Sequence, residues 1–216
     1  MIIGFYIEMG IWLRSRAKRL FFLSLALFIA AAVIGHLYFV AHPEMAQKAF
    51  AQLREILAQK INLEARGWEL FIQILFNNLR AGLLMLLFGL IPFLFLPVIG
   101  IAVNGLQMGL VSSVSMIQGK DVGRIFLFGF LPHGILEIPA ILLSGSLGLY
   151  LSIQILKKIF PPQQISLFGP NRDSSTFVQI LKRTFLAWAA VVLPLLIAAA
   201  LIEAFLTPVL IETFLK

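Results

Sequence analysis

Residues 20–40 read LFFLSLALFIAAAVIGHLYFV, and this stretch decides the fold class. Because an α-helix rises about 1.5 Å per residue, about 20 apolar residues cross a hydrocarbon core of about 30 Å. The basic cluster RSRAKR at 14–19 precedes the stretch. The apolar run is too long for a signal peptide and has no convincing small-residue cleavage site. The pattern therefore predicts a transmembrane helix.

The rest of the chain has the same composition. Of its 216 residues, 60% are hydrophobic and only 12% are charged, and the mean hydropathy is +0.98. A soluble domain carries roughly 25% charged residues. Only helices and closed barrels satisfy their backbone polar groups in lipid, and the long, non-alternating apolar runs exclude a barrel. We predict one all-α integral membrane domain over residues 1–216.

The charge balance is basic, with a net charge of +7. The basic residues flank the apolar runs, which is typical of topology signals and of contacts with anionic headgroups. The predicted partner is therefore the lipid bilayer and not nucleic acid. Cysteine is absent, which excludes disulfides, thiolate metal sites and a cysteine nucleophile.

Five apolar segments are long enough to cross a membrane, and they span residues 20–40, 70–91, 97–117, 125–156 and 184–206. Between the first two, the polar stretch from His42 to Glu69 has its apolar residues at helical spacing. This spacing predicts an amphipathic surface helix, either a solvated connector or a partner-binding element. The first thirteen residues predict an interfacial helix.

The positive-inside rule sets the orientation of these spans. It places the basic cluster at 14–19 and the basic loop at 157–183 in the cytoplasm. We therefore expect a cytoplasmic N-terminus, with the amphipathic helix and the C-terminus outside the cytoplasm.

The fourth segment contains FLPHGILEIP at 130–139, with Pro132, Gly134 and Pro139 as helix breakers. More than 30 helical residues would exceed the hydrocarbon core, so we expect this helix to break at Pro132–His133–Gly134. A broken helix leaves backbone polar groups without hydrogen bonds. Inside a membrane such groups occur only where they face protein or a water-filled cavity. The break therefore favours a functional role for the residues beside it.

Polar side chains inside the spans are the candidate site residues, because a charge at a helix centre costs about 2.5–3.5 kcal/mol. His133 and Glu137 lie four residues apart, on one helical face. Counting about 1.5 Å per residue brings the polar residues of three spans to one level. We predict one buried polar cluster, with Arg80 as the counter-charge for Glu137. Its members are Asn77, Asn78, Arg80, Asn104, His133 and Glu137. The cluster either holds the helices together by hydrogen bonds or forms a pathway, ligand site or reaction centre.

Small residues predict close helix contacts. Gly105 and Gly109 form a GxxxG pattern, and Ala140, Ser144 and Gly148 form a ladder at the same spacing. Both patterns let helices approach closely, within one chain or across a homodimer.

Enzyme signatures are missing from the sequence. The His133–Glu137 pair can supply two metal ligands, but no second intramembrane histidine or cysteine completes a set. GxSxG, Walker and HExxH patterns are also absent. We predict no catalytic residues, no cofactor and no metal site.

Three motifs resemble the stage II sporulation protein M family: NNLRAGLLMLLFGLIP, GIAVNGLQMG and FLPHGILEIPAILLSGSLG. They occur in the family's order and span roughly residues 70–150. The resemblance implies a polytopic inner-membrane protein without established enzyme activity. In endospore formers, the namesake works with sporulation proteins D and P, which carry peptidoglycan-cleaving activity. The positions that match the family pattern are Asn77, Asn78, Asn104, Gly105, Pro132, His133, Gly134 and Glu137; Arg80 comes from the helical face alone.

Two functions fit these observations. The first is a scaffold or partner of peptidoglycan hydrolases in a cell-envelope remodelling assembly of the prokaryotic cytoplasmic membrane. The alternative is a small transporter, flippase or channel whose pathway crosses the polar cluster near the membrane midplane.

Overall fold

The computed structural model describes residues 2–62, 64–160 and 176–215, and these residues contain helices and no strand. The helices are α1 (Ile2–Arg16), α2 (Lys18–Ala41), α3 (Pro43–Ala58), α4 (Gly67–Leu90), α5 (Leu96–Ile117), α6 (Val122–Ile159) and α7 (Phe177–Phe214). Five of them, α2 and α4 to α7, are long and apolar enough to cross a membrane. The prediction of an all-α membrane protein with five spans is confirmed.

One connection differs in length from its prediction. The basic loop predicted at 157–183 is shorter at both ends, because α6 continues to Ile159 and α7 begins at Phe177. Residues 161–175 of that loop lie outside the described residues. The predicted N-terminal helix is α1, which packs on the core where Trp12 makes an edge-to-face contact with Tyr150, 5.5 Å between ring centroids.

The spans alternate in direction. We call the end of the bundle that carries α3 the α3 end; there α2, α5 and α7 end, and α4 and α6 begin. Stacking of Phe128 on Phe214, 4.3 Å between ring centroids, joins the start of α6 to the end of α7. At the same end, Ala46 of α3 packs against Leu110 and Val114 of α5.

The α2–α5 contact is the most extensive in the described structure, and glycine makes it possible. A Cβ atom on Gly105 would overlap the backbone carbonyl of Phe28, and one on Gly109 would overlap that of Ala32. The GxxxG pattern thus lies against α2 of the same chain, where the two backbones touch.

Helices α4 and α6 cross at a second glycine contact. A Cβ atom on Gly148 would overlap the carbonyl oxygen of Met85, and one on Gly89 would overlap the backbone of Gly148. One and two turns before Gly148, Ser144 and Ala140 are fully buried. Ser144 lies opposite Gly82 of α4, with 3.2 Å between its Oγ and a Cβ built on that glycine.

The core is centred on α6. Its leucines Leu142, Leu147 and Leu151 are almost completely buried, together with Leu86 of α4 and Leu196 of α7. Trp188 Nε1 of α7 donates a hydrogen bond of 2.9 Å to Ser144 Oγ of α6. The outer faces of the spans carry large exposed apolar side chains, as expected of surfaces that contact lipid.

Three π-helical segments widen the two longest helices: Ile125–Phe130 in α6, and Trp188–Val192 and Ile202–Leu206 in α7. Each ends two residues before a proline, at positions 132, 194 and 208. The residue before each proline donates its N–H to the carbonyl five residues back, namely Leu131 to Phe126, Leu193 to Trp188 and Thr207 to Ile202.

This pattern has a direct cause in proline chemistry. Proline has no N–H, and its ring clashes with the carbonyl four residues back. In a π turn, each N–H group donates to the carbonyl five residues back instead of four. The wider turn makes room for the proline ring and gives the preceding carbonyls a hydrogen-bond donor. The break predicted at Pro132–His133–Gly134 therefore takes another form: α6 continues through these residues, and the irregularity precedes them as a π segment. Pro139 lies inside α6 without a π segment of its own.

Candidate functional site

His133 and Glu137 of α6 and Glu203 of α7 form a cluster that we call the triad. One ligand-capable atom from each side chain lies within 4.8 Å of the other two. His133 is buried, with 8% of its surface exposed, and both glutamates are partly buried. His133 lies 11 residues after the start of α6 and Glu203 lies 11 residues before the end of α7. Both positions are therefore about 16 Å from the α3 end, near the middle of the hydrocarbon core.

The helices bring the triad together in two ways. The spacing of four residues along α6 places His133 and Glu137 one above the other on the face toward α7. Glu203 belongs to the π segment Ile202–Leu206, whose wider turn precedes the Thr207–Pro208 pair. The triad thus lies where an irregular turn of α7 meets α6.

Thr207 fixes the orientation of the histidine ring. Its Oγ1 donates a hydrogen bond of 3.3 Å to the carbonyl of Ile202 and lies 3.4 Å from His133 Nδ1. A hydroxyl has one proton, so in the tautomer in which His133 Nδ1 carries a proton, Thr207 accepts the second, longer hydrogen bond from it. That tautomer leaves Nε2 of His133 without a proton, and Nε2 is therefore available as an acceptor or a metal ligand.

The carboxylates of the triad lack a lysine or arginine partner among the described residues. Among the described residues, neither Glu137 nor Glu203 has a lysine or arginine nitrogen within 4 Å. Arg80, which the sequence pairs with Glu137, is exposed on α4 and makes no ion pair with any described residue. Two carboxylates at this separation repel each other, so the pair needs positive charge from a proton or a bound cation.

The asparagines of the predicted cluster differ in their hydrogen bonds. Asn78 is 6% exposed, and its Nδ2 has no hydrogen-bond partner among the described residues. Its Oδ1 accepts a long hydrogen bond of 3.4 Å from Asn77 Nδ2. Asn104 instead donates to the carbonyl of Gly100, 2.8 Å away in its own helix α5. The structure therefore places Asn104 in a local hydrogen bond and leaves Asn78 with an unsatisfied donor.

The neighbours of Asn78 along α4 locate it. One turn before it, Ile74 packs against Ala200 and Ala204, which flank Glu203 in α7. One turn after it, Gly82 faces Ser144 of α6. Because residues four apart share a helical face, Asn78 lies between these contacts, where α4, α6 and α7 meet.

Glu203 is the site residue that the sequence interpretation missed. It is the one carboxylate in the apolar segment 184–206, and an ionisable residue inside a span is a functional candidate by default. The prediction of no metal site rested on the lack of a third ligand beside His133 and Glu137. Glu203 supplies that third ligand from a helix that is distant in sequence.

A cavity of about 280 Å³ lies apart from the triad, between α2, α5 and the first turns of α6. Its lining is mostly apolar and includes His36, Ser112 and Phe126. The Nδ1 atom of His36 is buried and has no hydrogen-bond partner among the described residues. His36 is thus a second intramembrane histidine, and the described residues that line its cavity include no carboxylate.

Comparison with known proteins gives one family and one curated relative. A family model described as stage II sporulation protein M matches residues 24–208. An uncharacterised protein of Methanocaldococcus jannaschii is 30% identical over 139 residues, which is 64% of this chain and 71% of that protein. No solved structure matches the chain significantly. The match to the family model includes all three residues of the triad and extends well beyond the motifs at 70–150.

Proposed function

The chain belongs to the stage II sporulation protein M family, and on this premise we propose that it is a small cation transporter whose pathway crosses the triad. We place it in the prokaryotic cytoplasmic membrane with its N-terminus in the cytoplasm, because its basic residues follow the positive-inside rule. In this orientation the α3 end faces outward, and the triad lies about 16 Å below that end.

One observation carries the proposal: two carboxylates and an imidazole converge at membrane depth without a basic partner among the described residues. An uncompensated charge at this depth costs about 2.5–3.5 kcal/mol even on the gentler scale. Asn or Gln would join two helices equally well without that cost. Carboxylates at this place therefore favour a role in holding a cation.

The π segments support the same proposal. π segments are often found at functional sites, and two of the three in this chain lie at the triad. Ile125–Phe130 precedes His133, and Ile202–Leu206 contains Glu203. A change in either segment would rotate one side of the triad relative to the other, which gives the site a route between bound and released states.

Proteoliposomes containing the full chain test the proposal. We would follow proton entry with a trapped pH indicator, Na⁺ entry with a trapped sodium indicator and Mn²⁺ entry by quenching of a trapped chelating dye. We expect uptake of at least one of these cations, and Glu203→Gln should lower it about tenfold or more, because that helix-centre charge would be lost. Glu69→Gln is the control, since Glu69 is an exposed carboxylate at the start of α4. If the wild-type chain moves none of the three cations faster than empty liposomes do, the proposal is overturned.

A second candidate function is a scaffold in a cell-envelope remodelling assembly, and the family match favours it, since the matching model is named for a sporulation protein. Helix α3 presents Glu44, Lys48, Arg54 and Glu55 to solvent, a charged surface suited to a partner protein. In vivo crosslinking from α3 should then capture a peptidoglycan hydrolase. Recovery of no envelope protein from several α3 positions would remove this candidate.

A further inference from the structure

We propose that the triad binds one divalent transition-metal ion, of the Zn²⁺, Mn²⁺ or Fe²⁺ class, between α6 and α7. The inference rests on the proposed function in that it names the cation of the same site. Its ligands are Nε2 of His133 and one carboxylate oxygen each from Glu137 and Glu203.

The donor set selects this class of ion. An imidazole nitrogen with two carboxylate oxygens suits zinc, iron and manganese, whereas Mg²⁺ and Ca²⁺ prefer oxygen ligands alone. Metal–ligand bonds of about 2.0–2.2 Å keep two donors on one ion within about 4.4 Å of each other. One ring nitrogen of His133 and one carboxylate oxygen of each glutamate already lie within 4.8 Å of one another, so small side-chain rotations close the site. Three protein ligands also leave a coordination position open for water or for exchange.

The surroundings of His133 match those of a metal-binding histidine. Such a histidine usually donates its second ring N–H to a neighbouring acceptor, which fixes the tautomer and the ring orientation. Thr207 Oγ1 is that acceptor for His133 Nδ1 at 3.4 Å. Thr207 is itself 5% exposed and held by its bond to the carbonyl of Ile202.

Charge balance favours a divalent ion over a monovalent one. Two carboxylates and one M²⁺ ion sum to zero, as two carboxylates and two protons also do, whereas a single Na⁺ ion or a single proton would leave a net negative charge at membrane depth. Among the described residues, no lysine or arginine nitrogen lies within 4 Å of either carboxylate to compensate that negative charge. A divalent ion therefore balances both carboxylates and, unlike two protons, also takes the His133 nitrogen as a ligand.

A second, independent observation is the buried amide of Asn78. Its Nδ2 has no hydrogen-bond acceptor among the described residues, and it belongs to the α4 face that packs on α6 and α7 beside Glu203. Buried donors without an acceptor cost about 1–3 kcal/mol. A metal-bound water, or the second oxygen of a metal-bound carboxylate, is the kind of acceptor that such a donor lacks.

Cobalt and zinc binding to the purified full chain test the inference. Co²⁺ serves as a spectroscopic probe, because its visible absorption reports protein ligands, and Zn²⁺ and Mn²⁺ are then added as competitors. We expect one ion per chain, competition by Zn²⁺, and at least about 100-fold weaker binding in Glu203→Gln and His133→Gln, because each removes a ligand. His36→Gln and Glu69→Gln are the controls and should bind within about twofold of the wild-type chain, since neither residue belongs to the triad.

Folding and function are separated from binding in this design. Each variant is checked by its elution from a sizing column and by its thermal unfolding, and Glu203→Asp, which keeps a carboxylate, should bind more tightly than Glu203→Gln. Metal binding without uptake into proteoliposomes would support this inference and defeat the transport proposal. Proton or Na⁺ uptake that needs Glu203, in a chain that binds no Co²⁺ or Zn²⁺, would overturn this inference alone. Equal Co²⁺ binding by the wild-type chain and the triad variants would also overturn it.

Discussion

Two helix contacts in this molecule differ in their packing and in the side chains that they enclose. The α2–α5 contact joins two regular helices through glycines, and its backbones touch. The α6–α7 contact joins helices that contain π segments and prolines, and it encloses three ionisable side chains without basic partners among the described residues. The first contact has no space for larger side chains, while the second contains irregular turns and side chains that can act as metal ligands. The comparison indicates that one contact is closely packed, whereas the other carries the candidate site on irregular turns.

The largest expected effect comes from filling the closely packed contact. In Gly109→Val, the new side chain would overlap the carbonyl of Ala32, so α2 and α5 must separate. We expect a loss of about 3 kcal/mol in the free energy of unfolding, at the upper end for overpacking. Unfolding in detergent, followed by circular dichroism, measures it. Gly10→Val is the matched control, because a Cβ on Gly10 meets nothing within 4 Å. Equal unfolding curves for the two variants would show that the contact tolerates expansion.

The next largest effect concerns the orientation of the His133 ring. Thr207→Val keeps the size of the side chain but removes the acceptor for His133 Nδ1. We expect metal affinity to fall about 10–100-fold, the usual effect of losing such a partner. Thr213→Val is the matched control, because Thr213 also hydrogen-bonds a carbonyl of its own helix, 2.8 Å away, but at an exposed position. If both variants bind Co²⁺ equally well, Thr207 does not orient the ring.

A smaller effect tests the boundary between the two contacts. Trp188→Phe removes the hydrogen bond of 2.9 Å from Nε1 to Ser144 Oγ, which ties α7 to the regular part of α6. The expected loss is about 1 kcal/mol, typical of one buried hydrogen bond. Thermal unfolding of the purified chain measures it. Trp68→Phe, at a residue that is 66% exposed, should change stability by less than about 0.5 kcal/mol. A larger loss at Trp68 than at Trp188 would contradict this assignment.

The smallest effect is expected at Arg80. Because its side chain is exposed and makes no ion pair with any described residue, Arg80→Gln should leave stability within about 0.5 kcal/mol. Cation uptake into proteoliposomes should also stay within about twofold of the wild-type rate. A loss of uptake as large as that of Glu203→Gln would restore Arg80 as the counter-charge that the sequence suggests.

The sequence predicts the fold well because the spans follow from local composition. Apolar length alone gives all five crossings, and Pro43 marks the start of the amphipathic helix α3. The spacing along a single helix also places His133 beside Glu137. Each of these features depends on residues that are close in sequence, which is why periodicity finds them.

The missing part of the site depends on how helices rotate against each other. On α4, Gly82 must face α6, and Asn78 lies one turn before it on the same face. Arg80, two positions from Asn78, is then about 200° around the helix and points outward. Glu203 enters the triad only through the packing of α7 on α6, for which the sequence contains no local signal.

The π segment Ile202–Leu206 has a consequence for how this chain tolerates changes in length. A π turn is equivalent to one residue inserted into an α-helix, so deleting one of its residues other than Glu203 would remove that insertion. The residues between the deletion and the end of α7 would then rotate by about 100° around the helix axis. Thr207 would leave His133 even though every ligand was still encoded. Shortening this helix by one residue would therefore disable the site as effectively as replacing a glutamate, whereas composition and hydropathy would scarcely record the change.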